Sequence, residues 1–519
     1  MSLLVVSILT AVGACGGGSG GSDDDTGAPP EEPAPTPPEN PPPEPPEDPG
    51  SQSLVFATFM GGSAEDTVRD VAFDSAGNAY LVGGTASPNF PTTAGVYQRQ
   101  LNSGSNGASF GAHDVWVAKL DPQGNLLWST LVGGGGYDRA YAVEVDAGGI
   151  YVAGRAGIGF PVTGSALQGS FAGDSDPNPG YGPQDGFVFK LAPDGSGLLW
   201  STYFGDAGRE FIRDLDIDAQ GNVYVAATSV HEPSQHVTPQ AFQTTLPPGS
   251  SGLVAKIAAD GGSVEWGTFL GGSGTDLGNP SIRVDGNGRV IVAGMSDSTD
   301  FPVAGTNQTT LAGGTDVTVT AITADGSQLD FSAYFGGSGE EGMETHSLAL
   351  APSGDIYVAF GTSSTDLPIS GGAYQPIHGG ASSFDIGIAR FSSTGSFTAS
   401  TYLGGPRSDG LEGIAVASDG SVVVSGQTQS PEFPVVGDGA NDRHAGGVDG
   451  IVTVLTANLD DVVFSSFFGG TGEDTGRCLA VSGTDDLLIG AMTYSSDFPV
   501  TDGSSYSSER DAAILLFRR

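Results

Sequence analysis

The stretch Ser53–Gly62, SLVFATFMGG, decides the fold: an apolar, aromatic-rich run ends in a Gly-Gly pair. Such a run reads as a strand closed by a turn. It recurs as LLWSTLVGG (126–134), LLWSTYFGD (198–206), VEWGTFLGG (264–272), LDFSAYFGG (329–337), FTASTYLGG (397–405) and VVFSSFFGG (462–470). The first Gly of each turn stands at 61, 133, 205, 271, 336, 404 and 469, at intervals of 72, 72, 66, 65, 68 and 65 residues. A period of this kind marks one repeat array rather than a string of unrelated domains.

Outward from that strand, every unit carries the same elements. An alternating strand comes first, such as RDVAF (69–73), YAVEV (141–145) or RDLDI (213–217). A tight Asp/Gly turn follows, DSAGN (74–78) or DAQGN (218–222), and then a second strand, AYLVG (79–83) or VYVAA (223–227). A longer loop leads to a third strand, DVWVAKL (114–120), DGFVFKL (185–191) or DGIVTVL (449–455), and a second tight turn returns to the opening motif. Four strands in an antiparallel meander make the blade of a β-propeller. A lone blade cannot bury both faces, whereas seven stacked in a ring can. The first motif has no strands of its unit before it, and the last unit, ending DAAILLFRR, has no such motif after it. The expected fold is therefore all-β: one seven-bladed propeller over 53–519, a monomer. Strand 54–59 would become the outermost strand of the last blade and close the ring, leaving no open edge.

The segment GGSAEDTVRDVAFDSAGNAYLVGGTASPNFP (61–91) fits the pattern GGSxxDxxxxxAxDxxGNxYVxGxTxSxxFP. It resembles the SBBP repeat, the seven-bladed β-propeller repeat of bacterial extracytoplasmic proteins. Fragments of the pattern recur in the other six units; the third departs most, with HEPSQH (231–236) where a Phe-Pro pair is expected. The resemblance implies the propeller and a cell-surface setting, and it brings neither an enzymatic activity nor catalytic residues.

Residues 3–14, LLVVSILTAVGA, form an apolar run too short to span a bilayer and of signal-peptide length. Val12-Gly13-Ala14-Cys15 resembles the bacterial lipobox, which implies a signal peptide over 1–14 and lipidation of Cys15. No Lys or Arg precedes the run, a departure from the usual signal peptide. Residues 16–52 pass from GGGSGGSDDD into APPEEPAPTPPENPPPEPPEDPG, Pro-rich, acidic and almost without apolar side chains. Such a segment buries no core and serves as a stalk, its Pro-rich part stiffened as polyproline II. Anchor, stalk and folded head together predict a lipid-anchored protein of the bacterial envelope, on the outer membrane or cell surface.

The chain of 519 residues carries 60 Asp or Glu against 18 Lys or Arg, a net charge of −42. That charge repels nucleic acid and anionic lipid, so contact with a membrane is expected through the lipid anchor alone. It admits divalent cations. A carboxylate stands five residues after every turn's first Gly: Asp66, Asp138, Glu210, Asp276, Glu341, Asp409 and Asp474. They can form a cation-binding rim or accept backbone N–H bonds and pin adjacent blades; a feature of every blade reads as architecture. A second set, Asp114, Asp185, Asp316, Asp385, Asp449 and Asp511, opens the third strands. Trp128, Trp200 and Trp266 share one strand position and read as core.

Specificity in a ring of like blades comes from unlike loops. Loops 84–113 and 154–184 are the longest, and ligand recognition is expected around Asn102–His113 and Gly169–Gln184. Asp174, Asp176, Asn178 and Asp185 are spaced as in an EF-hand Ca²⁺ loop, although Pro179 occupies the place that needs Gly. Ca²⁺ is the one cofactor this spacing suggests. No nucleophile elbow, Walker loop or HExxH is present. The favoured function is a surface-displayed binding or adhesion module for a protein or glycan. The alternatives are a glycan lyase or hydrolase using loop-face acids, and a purely structural envelope component.

Overall fold

The computed structural model describes residues 53–518, apart from 103, 105–107, 175–177, 229–233, 250–251, 306, 381–382, 438–442 and 508–509. The expectations for Cys15, the signal peptide and the stalk lie outside the described residues, as does that for Asp176.

The tight turns show why the strands end where they do. Asp74 accepts N–H bonds from Ala76 and Asn78, both at 2.9 Å, and the Asn78 amide returns a third bond at 2.8 Å. Gly77 occupies the left-handed region at φ 78° that closes the hairpin. Asp121, Asp218 and Asp285 repeat the arrangement. Lys119, Lys190 and Lys256 reach turn aspartates at 3.3, 3.6 and 3.6 Å on this same face.

These hairpins build seven four-stranded antiparallel blades. Their inner strands are Asp66–Phe73, Arg139–Asp146, Phe211–Ile217, Asp276–Val284, the pair Glu341–Gly342 and Leu348–Leu350, Asp409–Val416, and Asp474–Val481. Inner strands of neighbouring blades pack side by side around a central channel. Ser53–Met60 pairs antiparallel with Asp511–Arg518, from Ser53 opposite Arg518 to Met60 opposite Ala512. It is the outermost strand of blade seven, so the ring closes without a covalent join. Among the described residues there is no helix.

The core lies between blades. Trp128, Trp200 and Trp266 on the outer strands pack against the second-turn glycines of the following blades, Gly195, Gly261 and Gly326, all at positive φ. A Cβ on Gly261 would stand 2.4 Å from the Trp200 ring, so the contact requires glycine there. The Trp200 and Trp266 indoles donate to the Ala259 and Ala324 carbonyls at 3.0 Å, which satisfies their one polar atom. Phe90, Phe160, Phe301, Phe433 and Phe498, each before a Pro, are buried and anchor the long loops.

Blade five departs from the expected continuous inner strand. Its ladder stops at Gly342 and resumes at Leu348. The intervening chain leaves the sheet for the channel, and His346 takes φ 67°, an unfavourable value for a side chain with a Cβ.

Candidate functional site

The seven repeated carboxylates lie at the starts of the inner strands, at the loop face, buried to within 1 %. Asp66, Asp138, Asp276, Glu341, Asp409 and Asp474 each tie their own loop to the end of the second strand or just beyond it. Asp66 accepts from Gly62 N–H at 2.6 Å and Ser87 Oγ at 2.7 Å; Asp474 accepts from Gly470 N–H at 2.8 Å and Ser495 Oγ at 2.6 Å. Asp138, Asp276, Glu341 and Asp409 accept the equivalent backbone N–H. Burial pushes Asp66 and Asp409 up to about 6, and Asp138, Glu210 and Glu341 up to about 7. The third-strand aspartates do the same for the long loops: Asp114 accepts from Asn102 N–H at 3.0 Å and Asp185 from Ala172 N–H at 2.6 Å.

The expected cation loop is arranged likewise. Asp185 is buried at the start of its strand, Asn178 Oδ1 accepts from Gly180 N–H at 2.8 Å, and Asp174 Oδ2 accepts from Gln184 N–H at 3.1 Å. Among the described residues no three of His, Cys, Asp and Glu stand close enough to hold a metal ion. The two long loops meet each other: Ser109 and Phe110 N–H donate to the Pro179 and Gly180 carbonyls at 3.0 Å. Tyr181 packs on Phe110 and Tyr137, with ring centres 5.1 and 4.9 Å apart.

Beneath those loops lies a feature that the sequence reading did not single out. Eight residues after each turn's first Gly stand Arg69, Tyr141, Arg213, Asn279, Glu344, Glu412 and Arg477. In blades one, two, three, six and seven the pairing of the inner strand skips this one residue. It is a β-bulge, which leaves the extra residue out of the ladder and re-aims its side chain, here into the channel. In blade four the irregularity spans Asn279, and in blade five Glu344 lies in the broken segment. The ring is thus built by the repeat but filled by residues that do not repeat. Its sequence signal was this unlikeness at a fixed position. A second signal was Arg155, a charge where blade one has Gly84 and blade three has Thr228.

The filling is polarised. Around blades one to three, the guanidinium carbons of Arg69, Arg139, Arg155 and Arg213 stand 5.9, 5.0, 5.8 and 4.9 Å from the Tyr141 ring centre. Arg155 also lies 3.9 Å over Tyr181 and 5.0 Å over Phe211. Burial raises the Tyr141 phenol, but the four guanidiniums outweigh it and hold the group well below the usual tyrosine range. Across the channel stand Glu344 and Glu412; Glu412 pairs with Arg477 at 2.6 Å, and burial nonetheless raises it to about 7.

Towards the turn face the sign reverses. His346 crosses the channel, with Nε2 3.0 Å from the Tyr141 carbonyl and Nδ1 3.7 Å from both Asp70 and Asp214. Burial holds Asp70 up at about 6 against the opposing imidazole. Below it opens a cavity of about 510 Å³ lined by Asp70, Glu144, Asp216, Arg283 and His346. Burial and Asp216 drive the Glu144 carboxyl well up.

No family model matches the chain, and no curated protein matches it. Solved structures similar to it include the Pan2 WD40 domain of Neurospora crassa: 10% identity, 91% of this chain, 96% of that one, TM-score 0.44. BamB from Moraxella catarrhalis matches at 10% identity over 90% of this chain and all of the other, TM-score 0.36. A quinohemoprotein alcohol dehydrogenase from Comamonas testosteroni matches at 9% identity over 90% and 76% of the two chains, TM-score 0.41. Likenesses this distant say nothing about a ligand or a reaction.

Proposed function

We propose that this protein is a non-enzymatic binding or adhesion module of the bacterial envelope: an SBBP-type propeller carried on the 16–52 stalk and anchored by lipid at Cys15. The observation that supports binding is the bulge ring. A ring of like blades presents unlike polar residues at one channel position, Arg69, Tyr141 and Arg213 against Glu344 and Glu412. The arginine side lies beneath the second of the two longest loops, whose Tyr181 stacks on Arg155, where variation costs the scaffold least. Display is supported by the lipobox-like VGAC run and by a segment that buries no core. The ligand is a protein or glycan rather than nucleic acid, which the net charge of −42 repels.

A second reading, an extracytoplasmic hydrolase or lyase, draws on His346 between Asp70 and Asp214 above the acidic cavity. The anchor has a direct test. Cys15→Ser should move the full chain from the membrane fraction to the soluble fraction and leave the melting temperature of the head unchanged. A wild-type chain that is already soluble and retains residues 1–14 contradicts it.

A further inference from the structure

We propose that the loop-face mouth of the channel between blades one and three is an oxyanion site, in which Arg69, Arg155 and Arg213 receive a phosphate, sulfate or carboxylate group. The inference rests on reading that mouth as the binding site and supplies the chemical class of its ligand.

The argument begins with charge that the protein leaves uncompensated. In a chain with 60 acidic residues, every lysine finds a carboxylate at the turn face. Arg283 and Arg477 in the same channel find Asp214 and Glu412 at 2.8 and 2.6 Å. Arg69, Arg139, Arg155 and Arg213 have no carboxylate within ion-pair distance among the described residues, although all four surround one tyrosine ring. The internal acceptors at the cluster are the Tyr137 and Tyr141 hydroxyls, and Arg139 takes both, at 3.3 and 2.6 Å. Arg155 is 3 % exposed, and its Nε and Nη2 are buried without an acceptor; Arg69 Nε and Arg213 Nε are in the same condition.

Buried guanidinium N–H groups without acceptors are costly, and so are like charges held together. Burial and the neighbouring Arg139 press Arg69 well below the usual arginine range. The aromatic faces of Tyr137, Tyr141, Tyr181 and Phe211 hold the planes in place and spread some of the charge, but they accept no N–H bond. An oxyanion supplies what is missing: acceptor oxygens in the fork geometry of guanidinium, and negative charge. The cluster is also built rather than incidental. Arg69 and Arg213 are bulge residues aimed inward by the repeat's geometry, and Arg155 stands where the neighbouring blades have the uncharged Gly84 and Thr228.

The test uses the full chain, titrated by calorimetry and by thermal shift with millimolar sodium phosphate and sodium sulfate, against sodium chloride at matched ionic strength. Phosphate and sulfate should release or take up heat and raise the melting temperature, and chloride should do neither. Arg213→Gln and, independently, Arg69→Gln should weaken the response by about tenfold or more. Arg289→Gln, on the opposite face, should leave it intact. A sulfated or uronate-bearing oligosaccharide and a neutral one of equal length then identify the source. Tighter binding of the acidic sugar than of the inorganic ion assigns a glycan-borne group, and equal or weaker binding assigns the free ion. The inference is overturned if no oxyanion binds, if both arginine variants respond as wild type does, or if the neutral sugar binds as well as the acidic one. Saturable binding to envelopes without any oxyanion response would remove this inference alone. An oxyanion response together with envelope binding untouched by the arginine changes would instead remove the mouth as the display-binding site.

Discussion

His346 shows how one residue divides the channel. Its ring joins blade five to the Tyr141 carbonyl of blade two and stands between Asp70 of blade one and Asp214 of blade three. That position is reached through a left-handed backbone at φ 67°, so favourable contacts offset local strain. The two effects separate by substitution. Both His346→Ala and His346→Gly lose the ring, but glycine accepts the backbone at no steric cost. His346→Gly is expected to be the more stable of the two, by roughly 1 kcal/mol, measured by chemical denaturation. Equal stabilities, or alanine above glycine, would show that the backbone there carries no strain. The second reading of the function is tested by the same pair: it predicts that hydrolysis or elimination of envelope glycan by wild type is lost in both, and an activity that survives both substitutions does not depend on the imidazole.

At the scale of the strand and its loop, what repeats and what does not carry different information. The carboxylate five residues into each unit was legible because it recurs, and the structure gives it internal N–H and hydroxyl partners. The bulge residue three places later was not legible. Its alternation with its neighbours is broken by the bulge itself, so Arg69 and Arg213 read as ordinary polar positions of a half-buried strand. Arg155 was hidden because nothing local predicts that its strand faces Arg139 across the ladder. The repeated acids also set a pH dependence. Burial raises Asp66 and Asp409 to about 6, Asp138, Glu210 and Glu341 to about 7, and Asp114 and Asp185 to about 8. Unfolded, such groups titrate near 4. Between those values the folded chain binds more protons than the unfolded chain, so stability falls as pH rises from about 4 towards 8. The melting temperature should therefore be higher at pH 5 than at pH 8 at constant ionic strength. A higher value at pH 8 would mean that the N–H partners outweigh burial.

At the scale of the whole molecule, the fold was readable from one motif and its spacing. A strand that recurs seven times, with an orphan at the front and a vacancy at the back, admits a ring, and Ser53–Met60 does complete blade seven. Periodicity carried that inference because each blade needs its neighbours to bury its faces. The site was less readable because it arises only when seven inner strands converge. Arg69 and Arg213 are 144 residues apart in sequence (213 − 69) and share one tyrosine ring in the fold. The long loops 84–113 and 154–184 were singled out as unlike the rest, and Tyr181 from the second of them covers Arg155. The molecule is thus an acidic ring in which four arginines of the described residues, without carboxylate partners, surround one tyrosine ring at one mouth. That mouth is the claim to test. Purified full chain, fluorescently labelled, is titrated onto isolated bacterial envelopes as wild type and as Arg69→Gln/Arg213→Gln. The account predicts saturable binding by wild type and a loss of about tenfold or more in affinity for the double variant at a melting temperature no lower than that of wild type. Equal saturable binding by the two proteins, or none by wild type, would contradict it.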